Sequence, residues 1–329
     1  LHLALNTFTY ALNPLQGGRY MIFQRTINAI TEISGIGLHS GAEIRLRLRP
    51  AEANTGIIFH RRDGDRTVDI KAAAENVVDT RMATVLGRDG LSVSTVEHFL
   101  AALVACGIDN LHVDIDGPEV PILDGSSAPF IHQIQKVGTK TFEASRKFIA
   151  IRKPIELIEG EKRINIIPSR FFRITFDIAF EHKAIALQQY SMKFSTDSFK
   201  KDIAPARTFG FLHEVEFLKA NGLARGGSLD NAVVIDDDGV MNPEGLRFQD
   251  EFVRHKILDA CGDFSLLGHP MLGHIRAFKA GHDMNAKMVR KILETPDCWT
   301  YVEFSEEALK EAGKSSAQAY ASNLAWLKA

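Results

Sequence analysis

The sequence predicts an α+β fold in two domains, each a mainly antiparallel sheet carrying about two helices. Three observations predict it. The chain is 329 residues long, which at roughly 100–200 residues per domain favours two units. Short segments alternate apolar and polar residues, as in Glu43–Leu48 and Leu111–Ile115, the signature of half-buried strands. Helical patterns fall between runs of strands and do not alternate strictly with them, so the sheets are expected to be largely antiparallel.

Taken in order, Met21–Ile33 leads into the glycine-rich run Ser34–Gly41 and then Glu43–Leu48, which reads as a hairpin. The third glycine of the run comes one position too late for a dinucleotide loop, and a turn is expected instead. Leu91–Val93 is a short strand and Ser94–Gly107 a helix, with Ser94 and Glu97 spaced as a capping box. The strand Leu111–Ile115 ends at the turn Asp116-Gly117-Pro118. A second turn spans Ile122–Ser127, and Ala128–Val137 is helical. The polar stretch Thr139–Lys147 is the expected boundary, between a first domain over 21–143 and a second over 148–329. In the second, strands are expected at Phe148–Ile151, Ile164–Ile167, Phe172–Phe180 and Ile275–Lys279. Helices are expected near Phe209–Asn221, Phe248–Leu267 and Asp283–Leu293. Ala232–Ile235 reads as a hairpin strand closed by Asp236-Asp237-Asp238-Gly239.

Composition excludes several classes. Lys and Arg number 39 against 41 Asp and Glu, a net charge of −2, without the basic surplus that a nucleic-acid polymer demands. No run approaches the ~18–20 apolar residues of a membrane-spanning helix. The three cysteines are odd in number and widely separated, which offers no disulfide framework and suits a reducing, cytoplasmic setting. Leu1–Tyr20 lacks the basic start and apolar core of a secretory signal. Because Met21 opens a well-patterned strand, those first 20 residues are expected to be a disordered or non-native extension. The 12 histidines remain to be explained.

Chemistry concentrates in a few segments. In Phe252–Phe264, Val253, Ile257, Ala260 and Phe264 form an apolar stripe, with His255, Asp259 and Asp263 opposite. An i,i+4 His/Asp pair suits one metal ion, and it suits a solvated polar face as well. Glu97 and His98 open another helix, as a cap and an ordinary histidine or as a base and a ligand. A zinc hydrolase needs three N/O ligands, an open water position and a carboxylate base. His98, His255 and Asp259 with Glu97 supply that set. His282 lies at a strand-to-helix junction, as a capping or turn residue or as a general acid whose proton a carboxylate such as Asp263 holds. Thr208 precedes a predicted helix, as its cap or as an oxyanion donor.

From Met21 to about Phe304 these segments belong to a longer pattern: Gly35-Ile36-Gly37-Leu38-His39, Ser94-Thr95-Val96-Glu97-His98, Ile122-Leu123-Asp124-Gly125-Ser126, Ala206-Arg207-Thr208-Phe209-Gly210-Phe211, His255-Lys256-x-x-Asp259-x-x-Gly262-Asp263 and Gly281-His282. The pattern resembles the UDP-3-O-acyl-N-acetylglucosamine deacetylase family, the zinc amidases of lipid A biosynthesis in Gram-negative bacteria. The resemblance implies His98, His255 and Asp259 as ligands of Zn2+, with Fe2+ also tolerated. It implies Glu97 as the base, and His282 as the group that stabilises the oxyanion and protonates the amine, oriented by Asp263. Thr208 would hydrogen-bond the acetyl oxygen, and Lys256 and Lys162 would contact the diphosphate. Phe180 would stack on the nucleotide, and Phe209 joins the substrate-binding set. Leu212, Val215, Ala224 and Leu229 would line an acyl passage, though core packing explains those residues too. The implied fold sandwiches the helices between two sheets, with the site between domains. The implied partner is UDP-3-O-acyl-N-acetylglucosamine, handled by a cytoplasmic monomer. A hydrolase of another N-acyl sugar, or a non-catalytic module with a structural metal, are the alternatives. A structural zinc is normally closed by four ligands and needs no base, which favours the enzyme.

Overall fold

In Glu43–Pro50, Ile44, Leu46 and Leu48 are buried while Glu43, Arg45 and Arg47 face solvent, so one sheet face must be covered. This strand lies in a five-stranded sheet ordered Thr31–Ile36, Glu43–Pro50, Leu111–Ile115, Ile57–Asp63, Arg66–Lys71. Only the pair Ile57–Asp63 and Leu111–Ile115 is parallel there. The computed structural model describes residues 22–304. The expected N-terminal extension and residues 305–329 lie outside the described residues. A seven-stranded sheet is organised around Met271–Phe278, which pairs antiparallel with Lys162–Ile167 and parallel with Phe172–Ala179 and Lys147–Ile151.

Six α-helices occur among the described residues: α1 (Glu97–Cys106), α2 (Ala128–Val137), α3 (Thr196–Asp202), α4 (Leu212–Ala220), α5 (Glu251–Phe264) and α6 (His282–Glu294). Phe99 of α1 meets Phe59 of the five-stranded sheet at 6.1 Å and Phe130 of α2 at 5.5 Å between ring centroids. On the other side α5 packs on Phe172–Ala179 and α6 on Lys162–Ile167, both in the seven-stranded sheet. Helices α1 and α5 pack on each other, so α1, α2, α5 and α6 form the layer between the two sheets, and the fold is α+β as expected. Gly262 makes the α1–α5 contact possible. A Cβ there would lie 2.0 Å from the Glu97 carbonyl oxygen, inside the distance any side chain tolerates.

Several boundaries differ from the sequence reading, each because a distant segment intervenes. The helix expected from Ser94 starts at Glu97, because Thr95 takes a φ of 56° and Ser94 bridges to Glu119. Ser94 and Glu97 therefore make no capping box. The polar stretch Thr139–Lys147 is mostly a strand: Thr139–Ser145 pairs antiparallel with Phe23–Ile27, and the next strand, Lys147–Ile151, already belongs to the other sheet. Phe209–Phe211 is extended, paired in parallel with Val233–Ile235, and α4 begins only at Leu212. Val233–Ile235 is thus no hairpin ladder, and a single bridge joins Ile235 to Val240 across the aspartate turn. Helix α5 starts at Glu251 and tightens into a 3-10 turn over Ser265–Leu267. The strands Ile57–Asp63, Leu187–Lys193 and Trp299–Glu303 carry no period strong enough to be read alone, and Arg66–Lys71, where Val68 and Ile70 alternate with Asp69 and Lys71, was missed.

Candidate active site

The polar face of α5 is not solvated. All its residues except Arg254 and Lys256 are buried, His255, Asp259 and Asp263 among them. The i,i+4 spacing brings His255 Nε2 to 3.1 Å from Asp259 Oδ1, and α1 delivers His98 Nε2 to 3.5 Å from the same oxygen. Ligand atoms of the three residues all lie within 4.8 Å of one another, and the two imidazoles meet edge to face at 4.9 Å. His255 Nδ1 donates to the Ala206 carbonyl at 3.0 Å, which leaves the Nε2 lone pair for the cluster. Burial lowers the His255 imidazole below its usual value. Burial works against the charge of Asp259, yet His255 and the Lys256 ammonium, 2.9 Å from Oδ2, hold its carboxyl well below the usual range. Asp259 Oδ1 is buried and makes no hydrogen bond among the described residues. An orphaned carboxylate oxygen beside the Nε2 atoms of two buried histidines is costly. The N/O donor set is one that a borderline divalent cation satisfies.

Glu97 is the first residue of α1, and its Oε2 accepts the Thr84 N–H at 3.0 Å. Its Oε1 stands 3.9 Å from His282 Nε2. Burial pushes the Glu97 carboxyl up to about 7, against the pull of the His282 charge. His282 is the first residue of α6, after Gly281 as N-cap, so it is not itself a cap. Its Nδ1 donates to Asp263 Oδ2 at 2.9 Å, and Asp263 is 1% exposed. Burial disfavours the imidazolium, but Asp263 and Glu97 outweigh it and raise His282 to about 10. The carboxylate that a cation at a helix N-terminus requires is therefore present.

Arg207 ties the neighbouring segment to α5. Buried itself, it donates from its backbone N–H and Nε to Glu251 Oε1, each at 2.9 Å, and from Nη2 to the Gly245 carbonyl at 2.7 Å. That anchor sets the Ala206 carbonyl that receives His255 and aims Thr208, which precedes a strand and so caps no helix. Replacing Arg207 by Met takes the guanidinium from the fully buried Glu251 carboxylate, which keeps only the backbone N–H groups of positions 207 and 247. A loss of about 3–5 kcal/mol in unfolding free energy is expected, read by denaturant titration. The double variant Arg207→Met/Glu251→Gln should recover part of it.

Glu97, His98, His255, Asp259 and His282 line one cavity of about 300 Å3, together with Leu38, His39, Arg81, Lys162, Thr208, Phe209 and Lys256. Comparison with known proteins agrees with this geometry. The family model of the UDP-3-O-acyl N-acetylglycosamine deacetylase (LpxC) matches residues 24–294. The chain belongs to this family. Curated UDP-3-O-acyl-N-acetylglucosamine deacetylases are similar along most of their length. The protein of Syntrophotalea carbinolica is 66% identical over 88% of this chain and 93% of its own. That of Geobacter sp. (strain M21) is 58% identical over 88% and 94%, and that of Geotalea uraniireducens 53% identical over 94% and 100%.

For a deacetylase of this family the remaining expected site residues fall in two groups. Lys162, Lys256, Phe209 and Thr208 share the cavity with the catalytic candidates. The Lys256 ammonium is held by Asp259 and lies 5.4 Å from the Phe209 ring centroid. Phe180 is one ring removed from the cavity, 6.0 Å from Phe209 and 5.9 Å from Phe211. Leu212, Val215, Ala224 and Leu229 do not line it either. No residue of α4 is buried, so core packing does not account for Leu212 and Val215, whereas Ala224 is buried. Sequence reasoning missed Thr84, Thr95, Glu119 and Asn285. Buried Glu119 accepts the N–H groups of His39 and Ser40 and the Thr95 hydroxyl, all at 3.0 Å. It thereby fastens the glycine-rich turn to the segment leading into α1. Pro118-Glu119-Val120-Pro121, an acid between prolines in an apolar stretch, was the available signal.

Proposed function

We propose that the chain hydrolyses the 2-acetamide of UDP-3-O-acyl-N-acetylglucosamine, releasing acetate and the free amine, as an early step of lipid A biosynthesis. One observation supports this most: the His98/His255/Asp259 group, the Glu97 carboxylate and the His282 imidazole, held from behind by Asp263, face a single cavity. A three-residue donor set beside a base is the arrangement of a catalytic metal rather than a structural one. When bound there, a divalent ion, Zn2+ on this donor set with Fe2+ as the alternative, lowers the pKa of water toward ~7 and polarises the amide carbonyl.

The chain's own residues do the rest. Glu97 Oε1 takes the proton of the attacking water. His282 keeps Nδ1–H on Asp263 and turns Nε2–H toward the cavity. There it stabilises the oxygen that becomes negative and then passes its proton to the departing nitrogen. The Thr208 hydroxyl donates to the acetyl oxygen. Lys256 and Lys162 attract the diphosphate, Phe209 and Phe180 offer rings to the nucleotide, and Leu212, Val215, Ala224 and Leu229 border the acyl chain. We further propose that the protein acts as a monomer of two domains, 21–143 and 148–329. Its three free cysteines fit a reducing compartment, the cytoplasm. No helix among the described residues is long and apolar enough to cross a membrane.

The deciding experiment supplies the metal-loaded chain with UDP-3-O-acyl-N-acetylglucosamine of graded acyl length. Acetate release that stops on chelation and returns with Zn2+ is expected. A binding module would retain the sugar nucleotide and release no acetate. The pH profile follows from the same pair. Glu97, raised to about 7, must be ionised to accept a proton, so kcat/KM rises with pH through its limb, and a neighbouring cation draws that limb lower. His282, raised to about 10, must be protonated to donate, so the rate falls as pH climbs through its limb. In His282→Ala the alkaline limb should vanish and the acid limb persist.

A further inference from the structure

Thr84 lies in none of the segments that mark the site in the sequence, and its polar groups are spent on Glu97, on Val96 just before it and on Asp263. Its backbone N–H donates to Glu97 Oε2 at 3.0 Å. Its carbonyl accepts from Val96, the residue before Glu97, at 3.4 Å. Its hydroxyl reaches Asp263 Oδ1 at 2.5 Å. Because a carboxylate only accepts, the hydroxyl must be the donor. Thr84 is 1% exposed, so these bonds are made away from water, where their geometry is held most firmly.

We infer that Thr84 is a positioning residue that couples the base to the acid of the reaction. The inference rests on the deacetylase reading given above. On Glu97, the N–H engages Oε2 and thereby decides that Oε1 is the oxygen turned toward His282 Nε2 and the cavity. On Asp263, three donors settle the carboxylate: Thr84 on Oδ1, with His282 Nδ1 and Asn285 Nδ2 on Oδ2 at 2.9 and 2.8 Å. Without the hydroxyl, Oδ1 is a buried acceptor with nothing to accept. The carboxylate then gains by rotating, which takes Oδ2 away from the His282 ring it aims. Thr84 touches neither water nor sugar in this scheme; it acts through Glu97 and Asp263. Threonine suits the place, since its branched Cβ restricts χ1 and fixes the direction of the hydroxyl.

The test uses the full, metal-loaded chain. Thr84→Val keeps shape and backbone N–H and removes the hydroxyl. Turnover should fall about 10- to 100-fold, the scale of outer-shell partners, with KM and metal content at wild-type values, and Thr84→Ser should restore most of the rate. In the His282→Ala background, Thr84→Val should cost little more, because the group it steers is gone. Wild-type kcat in Thr84→Val, or the same fold-loss in both backgrounds, overturns the inference. If the valine variant does not fold, Thr84→Ala takes its place in the same cycle. If the wild-type chain releases no acetate, the functional reading fails by itself. Crystal structures of wild type and variant then still decide the role of Thr84. A displaced His282–Asp263 contact supports it, and an undisturbed one overturns it.

Discussion

Glu97→Gln is expected to lower turnover about 100- to 10,000-fold, the usual share of a positioned base, with metal content unchanged. The amide oxygen of Gln still accepts the Thr84 N–H that now binds Oε2, so the side chain keeps its place. What disappears is the basic oxygen 3.9 Å from His282 Nε2. Metal stays because the cluster of His98, His255 and Asp259 does not include Glu97. Metal analysis beside single-turnover kinetics checks both halves. Loss of metal along with activity would make Glu97 a ligand and remove the base from the mechanism.

The second large effect comes from a residue with no chemistry. Gly262→Ala adds one carbon 2.0 Å from the Glu97 carbonyl oxygen and 2.9 Å from the Glu97 Cα. Both obstacles are backbone, so no side chain can swing aside, and α1 must move away from α5. Overpacking of this kind costs about 1–3 kcal/mol and sometimes more. The functional loss should exceed what stability alone explains, because Glu97 and His98 travel with α1 while His255 and Asp259 stay on α5. A displacement near 1 Å costs on the order of 100-fold in rate. Denaturation midpoint, metal affinity and kcat, measured together, should all fall. An alanine variant with normal metal affinity and rate would show that the helices do not need this contact to set the site.

How much of this was legible depends on where each residue's partners lie. The strand Leu111–Ile115 and the helix Ala128–Val137 were read to the residue, because their periods and their end turns are local. His255 and Asp259 were legible as a pair, because four residues of helix bring them together regardless of context. Their place in a donor cluster was legible only through the family resemblance, because a helix face shows whether it is polar and not what lies against it. The start of α1 was misread because the capping signal at Ser94 is local, whereas Glu119 and Thr84 compete for the same residues from elsewhere in the chain. Phe209–Phe211 was assigned to a helix, with Thr208 as its cap, because its strand partner, Val233–Ile235, comes after α4.

By itself the sequence determined the α+β class, the donor types available, and the i,i+4 spacing of His255, Asp259 and Asp263. Its motifs also carried the family resemblance, with Glu97 and His282 in it. Only the tertiary structure decided that the polar face of α5 is buried, how closely His98 approaches it, and that Thr84 bonds both Glu97 and Asp263. The physical reason is a single crossing. Where Gly262 lets α1 lie against α5, polar groups that would each be ordinary in water are desolvated together. Their charges and lone pairs are then left to one another and to an ion.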